Sequence, residues 1–321
     1  MIDFISENKE KLNIKIEKLL WPDKYRFSIT DIEFRFSIDG QTYSGRGTSF
    51  DSNLSLTKAL SEAIERYMVK NLKKENSNGV AVHPVEAYAK QSAINELKER
   101  DLFLCHHLTN TPMKLLLIGG LDNNCQAILD FLEKYYVNVK VFQMGSVNEN
   151  TICVILDGRN CSTDKFGIII GASYSEDLNS SIEKAMLEAL IDFVSILENG
   201  VRSISLDEFN QLEYVAPEDH LKVARNIDYA NSYFDILEQG KAGSFIRNEH
   251  DNTCEISIES IKIGKMFDNL DLKMFQAKSD KLQSLYFGKT TNEYLNMKRL
   301  KQFKGTSFST KDINRLPHPF G

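Results

Sequence analysis

Apolar positions recur at helical spacing in three stretches of the chain. Leu56, Ala59, Leu60, Ala63, Ile64, Tyr67 and Met68 follow the i, i+3, i+4, i+7 rule, which predicts an amphipathic helix with one face on a core. Part of that helix, Ala59–Tyr67, reads ALSEAIERY; Ala93–Asp101 reads AINELKERD and Ala185–Phe193 reads AMLEALIDF, so one helical signature is written three times. Between Ile32 and Ile38 the period changes to two. Ile32, Phe34, Phe36 and Ile38 alternate with polar residues and run into Asp39-Gly40, which predicts a strand entering a two-residue hairpin.

The segment SGRGTSF, residues 44–50, leads from that hairpin into the first signature helix. The same order returns later as VILDG ending at Gly158, a strand FGIII over 166–170, GASY from Gly171, and the third signature. Gly47-Thr48-Ser49-Phe50 matches Gly171-Ala172-Ser173-Tyr174, and KALSEA from Lys58 matches KAMLEA from Lys184, so the chain carries an internal duplication of a strand, turn, strand, helix unit. The fold class that follows is α/β in the mixed α+β sense. The third helix is apolar nearly all round through Ile182, Met186, Leu190, Ile191, Phe193 and Val194, which predicts burial; Ser180 with Glu183 reads as its capping box and Asn199-Gly200 as its stop. Between the halves, MKLLLIGG, AILDFLEKYY and VNVKVFQM read as a strand, helix, strand crossover. Gly119-Gly120 could cradle a phosphate there, but without a GxGxxG pattern a plain connection is the better reading.

Composition narrows the function classes. The 321 residues are 42 % hydrophobic and 26 % charged, which is ordinary for a globular chain, and the net charge of −6 lacks the basic footprint of nucleic-acid binding. The start, MIDFISENKEKLN, has no basic or apolar targeting region, and no apolar run approaches a membrane span, so a cytoplasmic protein without membrane contact is expected. Five cysteines without CxxC spacing indicate neither a zinc site nor a disulfide framework. Cys105, although followed by His106 and His107, lies in the apolar run DLFLCHHL and reads as a core thiol.

The chemistry sits on the signature helices. Glu62, Glu65 and Arg66 have counterparts in Glu96, Glu99 and Arg100, and residues three or four apart share a helix face. Each copy sets two carboxylates beside a guanidinium, a pattern that serves as a solvated ion-paired face or as a metal-nucleotide site; its repetition favours the second. The two Glu-Arg faces are expected at one cleft. The third copy has Ile191 and Asp192 in place of the second Glu and the Arg.

With these segments in hand, the chain resembles the YcaO-domain family, in particular its azoline-forming cyclodehydratase branch. GRGTSFDSNLSLTKALSEAIERY is similar to the family's first block, SNGVAVHPVEAYAKQSAINELKERDLF to its second, GASYSEDLNSSIEKAMLEAL to its third, and the final PHPFG to its proline-rich ending. The resemblance implies an ATP- and Mg2+-dependent enzyme that activates backbone amides of a ribosomally made peptide. A Cys, Ser or Thr side chain attacks the preceding carbonyl, the amide oxygen is phosphorylated, and phosphate leaves as an azoline forms. It implies metal contacts from Glu62, Glu65, Glu96 and Glu99, nucleotide contacts from Arg66, Arg100, Gln91 and Glu188, and an ending, Pro317, Pro319 and Gly321, placed at the reaction. That ending is expected to be removable without unfolding the protein, and Lys58 either pairs with Glu62 along the helix or contacts a phosphate. Residues 1–321 are read as a single YcaO-like domain, with a duplicated core over 30–200 and a C-terminal part over 201–321. The implied partners are a precursor peptide, a subunit resembling ubiquitin-activating enzymes, and a flavin dehydrogenase.

The chain departs from the family pattern at Lys58, where Ser is usual; at His83-Pro84-Val85 in place of Gly-Asn-Thr; at Tyr88 in place of an acid; at Ile191 in place of Gln; and at Gly321 in place of the last Pro. Pro84 has no N–H to offer a phosphate. A catalytically degenerate YcaO-like scaffold subunit is therefore the alternative. A di-iron site is disfavoured because no signature helix carries Glu-x-x-His.

Overall fold

A computed structural model describes residues 2–72, 77–117, 119–145, 150–239 and 255–320. The chain divides into two compact units, the first comprising residues 1–97 and 256–279, the second 98–255 and 280–321.

In the first unit, β1 (Lys15–Lys18), β2 (Thr30–Ile38) and β3 (Gln41–Ser49) form an antiparallel sheet in that order. Asp39 and Gly40 close the β2–β3 hairpin with φ of 50° and 75°, as a two-residue primed turn requires. After α1 (Ile2–Asn8) and α2 (Trp21–Tyr25), the long helix α3 (Ser52–Asn71) lies across β2 and β3. Asp51 caps it, accepting the Leu54 N–H at 2.9 Å. Its apolar face packs against Phe34, Phe36, Met274 and Phe267, the core of this unit. A second antiparallel sheet has the order β4 (Val80–His83), β10 (Lys273–Lys278), β9 (Ser257–Ile261), so a late hairpin returns to complete the unit. Helix α4 (Glu86–Thr109) carries the second signature; residues to Leu97 belong to the first unit and the rest to the second.

The second unit is built on an antiparallel sheet in the order β5 (Lys114–Leu115), β6 (Asn138–Met144), β7 (Thr151–Asp157), β8 (Ile168–Tyr174). Helix α5 (Asn123–Lys134) lies between β5 and β6 in the chain, and α6 (Leu178–Asn199), the third signature, lies on β7 and β8. The expected crossover is not one: β5 is two residues long and pairs antiparallel to β6, because the chain turns at Gly120, with φ of 73°, before it enters α5. At the α5 terminus the Asp122 carboxylate accepts the Cys125 N–H at 2.8 Å, so the chain itself takes one of the donors that a phosphate would use there. α6 is buried along most of its length, and Gly200 ends it with φ of 76°. Its cap is Asp177 rather than Ser180: Asp177 accepts the Ser180 N–H at 2.7 Å, while Glu183 accepts from Asn124. α7 (Leu206–Gln211), α8 (Pro217–Ala224), α9 (Ile227–Gln239) and α10 (Met297–Lys304) complete this unit. Cys105 is a buried core thiol, and Cys254 lies outside the described residues. Among the described residues no helix is long and apolar enough to cross a membrane.

Candidate active site

In the first unit the site begins with two missing Cβ atoms. A Cβ on Gly45 would lie 2.2 Å from the Ala59 carbonyl oxygen, and one on Gly47 would lie 1.9 Å from that of Ser55, so only glycine lets β3 rest on α3 this closely. The contact brings the Arg46 N–H to the Glu62 carboxylate at 2.7 Å. Arg66, one turn further on, donates to the other Glu62 oxygen at 2.6 Å and to the Ser44 carbonyl at 3.3 Å. Lys58 donates to the Thr48 carbonyl at 3.1 Å. Arg46 itself is held by Asp31, a buried carboxylate that also accepts from Trp21 and Thr48.

Glu65 links the first two signatures. Burial raises its proton affinity well above that of an ordinary carboxyl, and the charges of Glu96 and Glu62 raise it further, against the pull of Arg66 and a hydrogen bond with Ser77. Glu62, Glu65 and Glu96 therefore address one patch and do not lie on opposite surfaces.

The second unit repeats the device. A Cβ on Gly171 would meet the Ala185 carbonyl oxygen at 2.0 Å, and the Ala172 N–H donates to Glu188 at 2.8 Å. Ala172–Glu188 thus reproduces Arg46–Glu62, and the counterpart of Gly171 is Gly45, two residues before the expected Gly47. A shift of two keeps the same strand face toward the helix, so sequence matching alone does not detect it. Around Glu188 stand Arg100, 4.0 Å away, and Glu99, which Arg100 meets at 3.2 Å. The Glu188 side chain retains 45 % of its surface. Burial raises it, Arg100 pulls it back and Glu99 raises it again, leaving it at about 7.

Two features fix Arg100. Asp101, next along α4, is bound through both oxygens by the fully buried Arg299 guanidinium and accepts the Gln283 N–H at 2.7 Å. The Arg100 Cζ also lies 4.1 Å from the centroid of Phe320. Residues 317–320 are buried, which corrects the expectation that this segment is dispensable to the fold. The Pro317 carbonyl accepts from Tyr229 at 2.6 Å, that of Leu316 from His107 at 2.9 Å and that of His318 from His220 at 2.8 Å. Pro319 is buried beside them, and Gly321 lies outside the described residues.

Gln91 is exposed and donates along α4 to Asn95 at 2.6 Å. Beside the start of α4, the Val85 N–H is spent on His83 Nδ1 at 2.9 Å. Asp31, Asp101, Arg299 and Phe320 escaped the reading of the motifs, because each acts through a partner distant in sequence. Among the described residues no three carboxylate, imidazole or thiol groups form a ready ligand set for a metal. The donor chemistry nonetheless fits a hard divalent cation: Glu62, Glu65 and Glu96 are oxygen donors whose mutual repulsion a cation relieves.

The fold is a duplicated mixed one in which carboxylates crowd beside guanidinium groups. The sequence model of the YcaO cyclodehydratases, described as ATP- and Mg2+-binding, matches residues 66–270, more than half of the chain. The chain belongs to this family, whose cofactors are ATP and Mg2+. The match opens at Arg66, so Glu62 and Glu65 stand just ahead of it. The fold is similar to that of a heterocyclase in complex with substrate and cofactor, with a TM-score of 0.62 and 11 % identity over 99 % of this chain and 57 % of that one. It is also similar to YcaO from Methanopyrus kandleri bound with AMPPCP and Mg2+, with a TM-score of 0.54 and 12 % identity over 88 % and 90 % of the two chains. A third likeness is to the E. coli microcin synthetase McbBCD complex, with a TM-score of 0.55 and 11 % identity over 87 % and 93 %. At these identities the likeness carries the fold. No curated protein matches the chain significantly.

Proposed function

We propose that this protein uses ATP and Mg2+ to activate backbone amides of a ribosomally made peptide, forming azolines from Cys, Ser or Thr. The observation that carries the reading is Glu65, half-buried and crowded by the charges of Glu62 and Glu96, which dispose it to exchange its proton for a cation. When bound, Mg2+–ATP supplies the phosphoryl group that turns an amide oxygen into a leaving group. Glu62, Glu65, Glu96 and Glu99 are the metal-holding carboxylates. Arg66, Arg100 and Lys58 face phosphoryl charge, with Gln91 and Glu188 as further nucleotide contacts. Glu188, at about 7, can hold or yield a proton near neutrality. Pro317, Pro319 and Gly321 belong to a segment that positions the reacting amide, and the whole chain serves as one YcaO-like domain.

The expected partners are a precursor peptide, a subunit resembling ubiquitin-activating enzymes that presents it, and a flavin dehydrogenase that oxidises the product. The named likenesses to a substrate-bound heterocyclase and to a multi-subunit synthetase support an assembly of this kind. One observation favours the degenerate scaffold as a second reading: Pro84 has no N–H and that of Val85 is occupied by His83, so neither is offered to a phosphate. The test mixes the protein with such a partner, a peptide containing Cys, Ser or Thr, and Mg2+–ATP. Loss of one water per ring, matched by phosphate release, is expected; partner-dependent peptide binding without either identifies the scaffold.

A further inference from the structure

Ser61 is the one residue of the first signature's polar stripe that the functional reading leaves unused. It stands next to Glu62 and one turn before Glu65, about 40° from Glu65 around the helix axis. It is 8 % exposed, and its hydroxyl has no hydrogen-bond partner among the described residues. Hydroxyl residues inside helices ordinarily satisfy themselves on the carbonyl four residues back. Ser55 and Thr57 on the same helix do so, at 3.0 and 2.9 Å, and Ser61 does not. Ser181 of α6, the counterpart of Ser55, also lacks a partner among the described residues, so it is the place of Ser61 beside Glu62 and Glu65 that carries the inference.

The internal duplication supplies a control. The residue equivalent to Ser61, preceding Glu188 as Ser61 precedes Glu62, is Leu187, buried at 6 % exposure. Packing at this place is therefore met by an apolar side chain in the copy that has lost its second Glu and its Arg. The copy that keeps Glu65 and Arg66 carries a hydroxyl instead, although a buried unsatisfied hydroxyl destabilises the fold. A ligand oxygen resolves that cost.

We propose that Ser61 is a positioning residue for the nucleotide, donating its hydroxyl to an oxygen of Mg2+–ATP, either on a phosphoryl group or on a metal-bound water. The inference rests on the carboxylate site described above. Its consequence is that the hydroxyl destabilises the free protein and strengthens only the loaded one, the reverse of a structural serine.

The experiment is calorimetry of Mg2+–AMPPCP binding with wild type, Ser61→Ala and Ser61→Cys, together with melting temperatures of the unliganded proteins. Ser61→Ala is expected to bind about tenfold more weakly, as loss of one charge-assisted hydrogen bond implies, and to melt no lower than wild type. Ser61→Cys, a weaker donor of similar volume, falls between them. Equal affinity of Ser61→Ala and wild type, or a clear loss of stability in unliganded Ser61→Ala, overturns the inference and leaves the carboxylate site standing. Absence of binding by wild type overturns both.

Discussion

The ring of Phe320 covers the guanidinium of Arg100, with Cζ 4.1 Å from the ring centroid. Arg100 also meets Glu99 at 3.2 Å, so one cation is held between a carboxylate and an aromatic face. Substituting Phe320 by Leu keeps most of the apolar volume and removes the aromatic face. Peptide processing with the partner subunit present is expected to fall several-fold with a small change in melting temperature. Phe320→Ala, by contrast, is expected to lose about 3 kcal/mol or more in denaturant unfolding, the cost of a vacated aromatic site.

Three histidines hold the segment that carries Phe320, and they impose a pH limit. His220 donates from Nδ1 to the His318 carbonyl and accepts the Gly288 N–H on Nε2, which fixes it as a neutral tautomer. Burial lowers all three, His107 to about 4 and His318 well below its usual value. Because the folded values lie below the unfolded value near 6.5, the unfolded chain takes up protons first. Stability is therefore complete above pH 6.5 and declines as pH falls toward 4, by about 1.4 kcal/mol per pH unit for each group titrating. Melting temperatures across this range, with hydrogen exchange at residues 314–320, measure it. His107→Gln is expected to flatten the decline.

Glu65 gives the opposite slope. Its folded proton affinity is raised, so the stability it contributes is present below the unfolded value and is lost as pH rises through the folded one. Glu65→Gln keeps the volume without the charge. The unliganded variant is expected to melt higher than wild type at pH 8, with the difference shrinking at pH 5. A variant that melts lower at pH 8 contradicts the repulsion described for Glu62, Glu65 and Glu96.

The paired glycines give a purely steric prediction. Gly45→Ala and Gly171→Ala each force a Cβ to within 2.2 Å of a helix carbonyl oxygen, so each is expected to cost about 3 kcal/mol or to prevent folding. Gly40→Ala, where nothing lies within 4 Å, meets only the strain of its positive φ, and urea unfolding separates the two effects.

What was legible in the sequence was whatever repeats at short range. The 3.6-residue period of α3, the Asp39-Gly40 hairpin and the duplicated strand, turn, strand, helix unit are local patterns, and the structure contains each of them. The nearness of Glu62 and Glu96 to Glu65 followed from two matching signatures. Features decided at long range were not legible. Arg299 reads as one more cation on a short basic helix until it is found buried on Asp101, nearly two hundred residues away. The ending around Pro317 reads as removable without unfolding the protein, whereas carbonyls along the segment are taken by His107, His220 and Tyr229, from three different helices. The antiparallel β5–β6 pair was misread because a strand, helix, strand order specifies a crossover only when the first strand is long enough to carry the helix over the sheet.

The central claim, that the carboxylates around Glu65 serve a magnesium nucleotide, is tested most directly by calorimetry of AMPPCP binding with and without Mg2+, for wild type and Glu65→Gln. The account predicts Mg2+-dependent binding by wild type that weakens as pH is lowered and Glu65 keeps its proton, and loss of that binding in Glu65→Gln at undiminished stability. Binding that is unchanged in Glu65→Gln, or no heat from wild type at millimolar nucleotide, would contradict it.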